Sequence, residues 1–267
     1  MILPFEGSVY MSQPLLEGKR GIILGVANKR SIAWSIAQST HGAGAALALS
    51  YQGERLREKV APLASELSDC IIGDCDVTSD ESLDNFFGMI RERWDKIDFL
   101  VHAVAYAKRE ELEGHFADTS REGFHLAHDV SAFSLVACAK RAADMMPDGG
   151  SIVTLSYFGA EKVIPNYNIM GVAKASLEAS VRYLAYDLGK RNIRVNAVSA
   201  GPVNTLAARG ISGFPMMIAA ARERAPLGRN TDPDEVGDAT LFLVSRLGRG
   251  ITGETLYVDN GYHIMGM

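Results

Sequence analysis

Seven short runs rich in β-branched and apolar residues alternate with longer helical patterns along almost the whole chain: Gly21 to Val26, Ala45 to Ser50, Cys70 to Cys75, Phe99 to His102, Ser151 to Leu155, Arg194 to Ser199 and Thr255 to Val258. Several are apolar at consecutive positions, as strands are when helices cover both faces of a parallel sheet. Between them, Ile32 to Thr40, Arg55 to Leu67, Ser82 to Trp94, Gly123 to Met145, Asn168 to Lys190 and Asp234 to Ser245 carry helical spacing. Ser31 is expected to cap the first helix and Asp80 the third. Strand–helix alternation of this kind predicts an α/β fold, a doubly wound Rossmann-type sheet of seven parallel strands with helices on both faces. No repeat, low-complexity tract or Gly/Ser linker interrupts it, so residues 16–267 are read as one domain and residues 1–15 as an N-terminal extension or arm, Met11 being itself a plausible start.

Composition narrows the partners. Of the 267 residues 47% are hydrophobic, and 27 basic against 32 acidic side chains leave a net charge of −5, so no positive field exists to hold nucleic acid. The longest apolar runs fall far short of the ~20 residues that span a bilayer. Residues Met1 to Pro14 lack a basic start and carry Glu6 within their apolar stretch, unlike a secretory signal, so a cytoplasmic protein is expected. Cys70, Cys75 and Cys138 are odd in number and have no CxxC spacing, and they read as buried thiols. His125 and His128 share a helical face but lack a third ligand, so no metal is expected.

The first strand runs into Gly25-Val26-Ala27-Asn28-Lys29-Arg30-Ser31-Ile32-Ala33, a partial version of the glycine-rich dinucleotide turn in which Ala27 and Ala33 replace two glycines. A phosphate there would meet the free N–H groups of the helix start at Ile32 and the Ser31 hydroxyl. Gln52 ends the second strand, where dinucleotide folds read the adenosine ribose. It is neither the acid expected for NAD nor an arginine for a 2′-phosphate, which favours NADH and leaves NADPH open, with Lys29, Arg30 and Arg55 close by in sequence. After the third strand, Asp76 can accept from the adenine amino group while Val77 packs on its ring, or Asp76 can cap the turn before the next helix.

After the fifth strand, Tyr167 and Lys174 stand seven apart, which at about 100° per residue leaves them about 20° apart on one helical face. Gly201 to Pro226 is the most irregular stretch. Because it follows the carboxyl end of a strand, residues of about 203–226 are read as a substrate lid or, failing that, a surface insertion.

The Tyr157, Tyr167, Lys174 spacing, the Gly25 to Ala33 turn, Ser199-Ala200-Gly201-Pro202-Val203-Asn204-Thr205-Leu206-Ala207, and Gly253-Glu254 before Val258-Asp259 resemble the bacterial enoyl-[acyl-carrier-protein] reductases of the short-chain dehydrogenase superfamily, from about Leu16 onward. Ordinary members of that superfamily place tyrosine four positions before the lysine, where Met170 stands here. The resemblance implies NADH-dependent reduction of a trans-2-enoyl thioester on acyl carrier protein in type II fatty acid biosynthesis, by a cytoplasmic homotetramer. It gives Tyr167 the developing enolate oxygen and Lys174 the nicotinamide ribose, and puts Tyr157 in the pocket wall as a third, assisting catalytic residue. It also implies Val104 near the cofactor, Ala107 near substrate, and Val203 to Ala207, Thr205 included, around the nicotinamide carboxamide and pyrophosphate. The positive charge of Lys174 would favour an ionised or strongly donating phenol nearby. Asp129-Val130 stands where the wider superfamily places an asparagine, so that proton relay is not carried over. Lys190, Arg191, Arg194, Arg222 and Arg224 are read equally as carrier-protein contacts or solvated faces. A carbonyl reductase and a non-catalytic dinucleotide sensor are the competing readings; Met170 argues against the first, Tyr167 with Lys174 against the second.

Overall fold

The computed structural model describes residues 14–205, 208 and 211–266, so most of the expected arm and the position of Ala207 lie outside the described residues. Seven strands, β1 (Arg20–Leu24), β2 (Ala46–Tyr51), β3 (Ile71–Asp74), β4 (Phe99–His102), β5 (Gly150–Ser156), β6 (Ile193–Ala200) and β7 (Thr255–Val258), form one sheet. Every pairing is parallel and the order is β3-β2-β1-β4-β5-β6-β7. The chain reverses its direction of travel across the sheet between β1 and β4, which opens a crevice at their carboxyl ends.

Consecutive apolar residues explain the two covered faces. Ile22, Leu24, Leu100 and Ile152 point to one side, where they meet Phe86 and Ile90 of α3 (Asp80–Arg91), Leu135 of α5 (Ser134–Ala143) and Leu177 of α6 (Asn168–Gly189). Ile23, Val101 and Val153 point to the other, against Trp34 and Ile36 of α1 (Ile32–Gly42), Val60 of α2 (Glu54–Ala64) and Val236 and Leu243 of α8 (Pro233–Val244). Each fully buried Leu, Ile or Phe contributes about 1.5–3 kcal/mol, so the alternation of faces along each strand holds both layers.

The structure corrects several expected elements. The single helix expected over Gly123 to Met145 is α4 (Arg121–His128) and α5, joined by a π-helical turn at Asp129–Phe133. Hydrophobic spacing cannot register one extra residue per turn. The expected irregular stretch contains a helix, α7 (Phe214–Arg224), because Gly213 enters it at φ +76° and Pro215 sits in its first turn, where proline starts a helix instead of breaking it. Ser79, not Asp80, caps α3, accepting from the Ser82 N–H at 3.2 Å. Ser31 occupies the N-cap position of α1 without a side-chain cap bond. Its hydroxyl donates instead to the Asn28 carbonyl at 2.7 Å, tightening the turn before the helix.

Among the described residues no helix is long and apolar enough to cross a membrane. The three thiols are free, Cys75 and Cys138 buried and Cys70 partly so, and burial pushes Cys70 and Cys75 up to about 12. His128 stacks on Phe124 at 4.2 Å and hydrogen-bonds its carbonyl oxygen, a packing arrangement within α4.

Candidate active site

A cavity of about 600 Å³ opens over the carboxyl ends of β1, β4, β5 and β6. Its first wall is the turn after β1. Gly25 has φ +97°, and a Cβ there would stand 2.2 Å from the Ala103 carbonyl oxygen beyond β4, so only glycine lets the two strand ends approach. Ser31 and Ile32, at the start of α1, line the same wall with Ala27 and Ala33. The small side chains leave room for a ligand's phosphates against the free N–H groups of an eleven-residue helix.

Val104 and Ala107 lie in the loop after β4 and also line the cavity. Ser131, fully buried in the π-helical turn, grips that loop from behind: its hydroxyl accepts from the Tyr106 N–H at 3.0 Å and donates to the Tyr106 carbonyl at 3.1 Å. Val203 and Thr205 contribute a further wall. The Thr205 hydroxyl accepts from the Ala208 N–H at 3.1 Å.

Tyr157, Tyr167 and Lys174 converge on this cavity. Tyr167 stands at the N-cap of α6, flanked by Asn166 and Asn168 with φ of 61° and 24°. Its ring packs where a Cβ on Gly159 would come within 2.5 Å of it, and a Cβ on Gly171 would meet the Gly159 carbonyl oxygen at 2.7 Å. The two glycines thus let the turn after β5 slide beneath the head of α6. Lys174 is buried and its Nζ donates to the Leu155 carbonyl oxygen at 2.7 Å. Burial lowers its pKa to about 8, with Glu178 acting in the opposite direction. Burial pushes both phenols well above the ordinary tyrosine range, so each keeps its proton and can serve as a donor. The expected ionised phenol is therefore disfavoured, and the strongly donating one is what this environment supports. Met170, four positions before the lysine, is buried and lines the cavity, so an apolar thioether fills the place where a simple alcohol dehydrogenase would put its tyrosine.

Gln52, Asp76 and Val77 lie beyond this cavity, at the ends of β2 and β3. Asp76 accepts from the Thr78 N–H at 2.9 Å and from the Thr78 hydroxyl at 2.7 Å, the turn-capping alternative. Burial works to raise its pKa, but bonds from Thr78 and Gln52 outweigh it and hold the carboxyl below the usual range. Val77 packs against the core beside α3. Of the basic residues, Arg194 is drawn inward to the Leu243 and Gly248 carbonyls at 2.6 and 2.8 Å, and Arg191 to the Ala143 carbonyl at 2.5 Å, so both brace the fold. Arg222 and Arg224 are exposed at the end of α7.

Several cavity residues carry no motif of their own, although Ile211, Phe214 and Met217 fall within the expected lid of about 203–226. Phe214 and Met217 reach it from α7, and Ile211 from the segment before that helix. Asn166 donates to the Ser212 carbonyl at 2.9 Å and Arg109 to the Ser212 hydroxyl at 3.3 Å, fastening that segment across the opening. His102, at the end of β4, is wholly buried between the hydroxyls of Thr154 (3.0 Å) and Ser134 (2.8 Å). Burial, with the charge of Lys174, holds it neutral at a pKa of about 3.

Comparison with known proteins is consistent with this geometry. The family model described as enoyl-(acyl carrier protein) reductase matches residues 25–263. The chain is 54% identical over 253 residues to enoyl-[acyl-carrier-protein] reductase [NADH] 1 of Rhizobium meliloti (strain 1021), covering 95% of this chain and 93% of that one. It is 56% identical over 251 residues to enoyl-[acyl-carrier-protein] reductase [NADH] FabI of Bacillus subtilis (strain 168), covering 93% of this chain and 97% of the relative. The crystal structure of the Bacillus cereus enoyl-acyl carrier protein reductase with NADP+ and indole naphthyridinone superposes with a TM-score of 0.94 at 52% identity, over 96% of this chain and all (100%) of that one. The Anaplasma phagocytophilum reductase in complex with NAD superposes at 0.92 with 52% identity, over 96% and 98%. On the extent of these matches, the chain belongs to the enoyl-(acyl carrier protein) reductase family.

Proposed function

We propose that the chain reduces the trans-2 double bond of an enoyl thioester carried by acyl carrier protein, in type II fatty acid biosynthesis, with NADH as reductant. The observation that carries this reading is the convergence of two buried groups, Tyr167 and Lys174, on a cavity at the sheet's switch point whose remaining lining is largely apolar. The glycine cradle at Gly25 fits a dinucleotide, since any side chain there would fill the approach between β1 and β4. When bound, the nicotinamide supplies a hydride from C4 to the substrate β-carbon.

The residues of the chain then handle the charge this creates. When the β-carbon takes up hydride, the π electrons shift and negative charge gathers on the thioester oxygen, where Tyr167 donates to it; a proton from water then reaches the α-carbon and completes the saturation. A preorganised donor at such a position contributes on the order of 3 kcal/mol to the transition state, more than the same bond in water. Burial keeps the Tyr167 proton in place for this role. Lys174 holds the nicotinamide ribose, and Tyr157 shapes the pocket beside Tyr167. Gly25, Ser31, Ile32, Val104, Val203 and Thr205 line the cofactor's path, while Gln52, Asp76 and Val77 lie towards its adenosine end. Ala107 borders the substrate, and the segment of about 203–226 acts as its lid, with Ile211, Phe214 and Met217 as an apolar wall for the acyl chain. The carrier protein is the macromolecular partner. A homotetramer belongs to the same reading, supported by Tyr183 and Tyr186, large exposed rings three apart on α6 that a second copy would cover. A cytoplasmic location is supported by three free thiols in place of a disulfide framework.

The test is to mix the protein with NADH and a crotonyl or dodecenoyl thioester and follow the absorbance of the reduced nicotinamide. Decay with the enoyl substrate is expected. Decay only with a β-ketoacyl thioester would make the protein a carbonyl reductase, and cofactor binding without turnover of either would make it a sensor.

A further inference from the structure

Helix α6 carries a second buried charge that the proposed reaction does not use. Glu178 lies one turn beyond Lys174 on the same face, and the two residues are only 7% and 6% exposed. Both are gripped by neighbouring residues at the end of β5. Lys174 Nζ donates to the Leu155 carbonyl oxygen at 2.7 Å, and the Ser156 hydroxyl donates to Glu178 Oε1 at 2.5 Å. Leu155, Ser156 and Lys174 all line the cavity, so neighbouring residues at the end of one strand hold an ammonium in its lining and a buried carboxylate one helical turn further along α6. A cation without a partner at such a depth sheds its proton, because desolvation penalises the charged form.

We infer that Glu178 is a positioning residue: the buried carboxylate, one turn along α6, that keeps Lys174 protonated while the Leu155 carbonyl holds its ammonium in the cavity. The inference rests on the reading of Lys174 as the group that holds the nicotinamide ribose.

The surrounding charges define what removing Glu178 would do. Lys174 faces Glu178 on its own helix and the neutral His102 of β4. Glu178 faces Ser156 of β5, Glu161 in the turn after β5, Tyr257 of β7, and Arg182 one turn further along α6. Burial, then Glu161, push the Glu178 carboxyl up while Ser156, Arg182 and Lys174 pull it down, and burial prevails, leaving it above the ordinary carboxylate range. The Tyr257 hydroxyl bonds Glu161, which keeps that second carboxylate turned towards β7. Burial lowers the Lys174 pKa and Glu178 is the carboxylate that opposes it. Taking away the negative charge at 178 therefore moves the titration of the lysine to lower pH.

The experiment is the NADH dissociation constant of the full chain from about pH 6 to about pH 9, for wild type, Glu178→Gln, Glu178→Asp and Lys174→Met, with thermal unfolding as the check on folding. Wild-type affinity should weaken as the pH rises through the lysine titration. In Glu178→Gln that weakening should begin about one pH unit lower, with affinity near pH 6 little changed, and Glu178→Asp should keep the wild-type profile. Lys174→Met should bind weakly at every pH. If Glu178→Gln does not fold, Ser156→Ala serves in its place: it leaves the carboxylate without its donor and should displace the profile in the same direction by less. Superimposable profiles for wild type and the folded variant, alongside a weak and flat Lys174→Met, would overturn the inference alone. A Lys174→Met protein with the wild-type profile would instead remove the ribose role of Lys174.

Discussion

The ring of Tyr167 stands edge to face against that of Tyr157, with centroids 5.0 Å apart and planes at 77°. Aromatic pairs in this geometry are worth about 0.5–1.5 kcal/mol beyond the area they bury. Tyr157 leaves β5 in extended conformation while Tyr167 begins α6, so the contact joins the end of a sheet strand to the head of the helix that carries Lys174. Each ring restricts the other, and the Tyr167 hydroxyl is held over the cavity without being ionised.

Tyr167→Phe keeps the ring contact and removes only the donor. Its kcat should fall by about 10²-fold or more, while its NADH dissociation constant stays within about twofold of wild type. Steady-state kinetics with an enoyl thioester and a fluorescence titration with NADH measure the two quantities. Undiminished turnover would take Tyr167 out of the reaction.

Gly25→Ala places a Cβ 2.2 Å from the Ala103 carbonyl oxygen at a backbone with φ +97°. The strand ends must separate, so NADH affinity should fall by about tenfold or more and stability by on the order of 1–3 kcal/mol. Calorimetric titration and chemical denaturation follow these separately. A variant with wild-type affinity would mean that the dinucleotide does not use this turn.

His102 should make stability depend on acid. Its ordinary pKa of 6.5 drops to about 3 in the fold, because it is buried and near Lys174. The folded form therefore resists protonation, and the contribution of the group is fully present above about pH 6.5 and is lost as the pH falls from there towards about 3, by up to about 1.4 kcal/mol per unit. Denaturation midpoints across that window should fall less steeply in His102→Gln than in wild type. Parallel slopes would show that His102 titrates normally.

NADH should outperform NADPH. Asp76, held ionised by Thr78 and Gln52, leaves negative charge near the end of β2 where a 2′-phosphate would sit. The ratio of kcat/KM for the two cofactors is expected to favour NADH by about tenfold, and Asp76→Asn should narrow it. An equal ratio in wild type would place the adenosine end elsewhere.

The bounds of β4 and β7 were legible residue by residue, and the other strands to within two residues, because buried parallel strands must be apolar at successive positions. The Tyr167–Lys174 pair was legible as a spacing but not as one helical face, because Tyr167 stands at the N-cap before α6 and the turn through Asn166 and Asn168 sets its direction. The break between α4 and α5 was not, since a π-helical turn leaves the hydrophobic pattern almost unchanged. Helix α7 was hidden by Gly213 and Pro215, which punctuate loops and helix starts alike. His102, Ser131 and Glu178 looked like ordinary strand and helix residues, as their partners stand 32, 52, 25 and 22 positions away.

Sequence by itself determined the sheet, its two covered faces and the helix that carries the ammonium with a phenol at its head, since periodicity and spacing act within a few residues. Only the tertiary structure decided that Lys174 is buried beside Glu178, that both phenols stay protonated, and that α7 helps to wall the cavity. Those properties come from desolvation and from contacts between segments far apart in the chain, which no local pattern encodes.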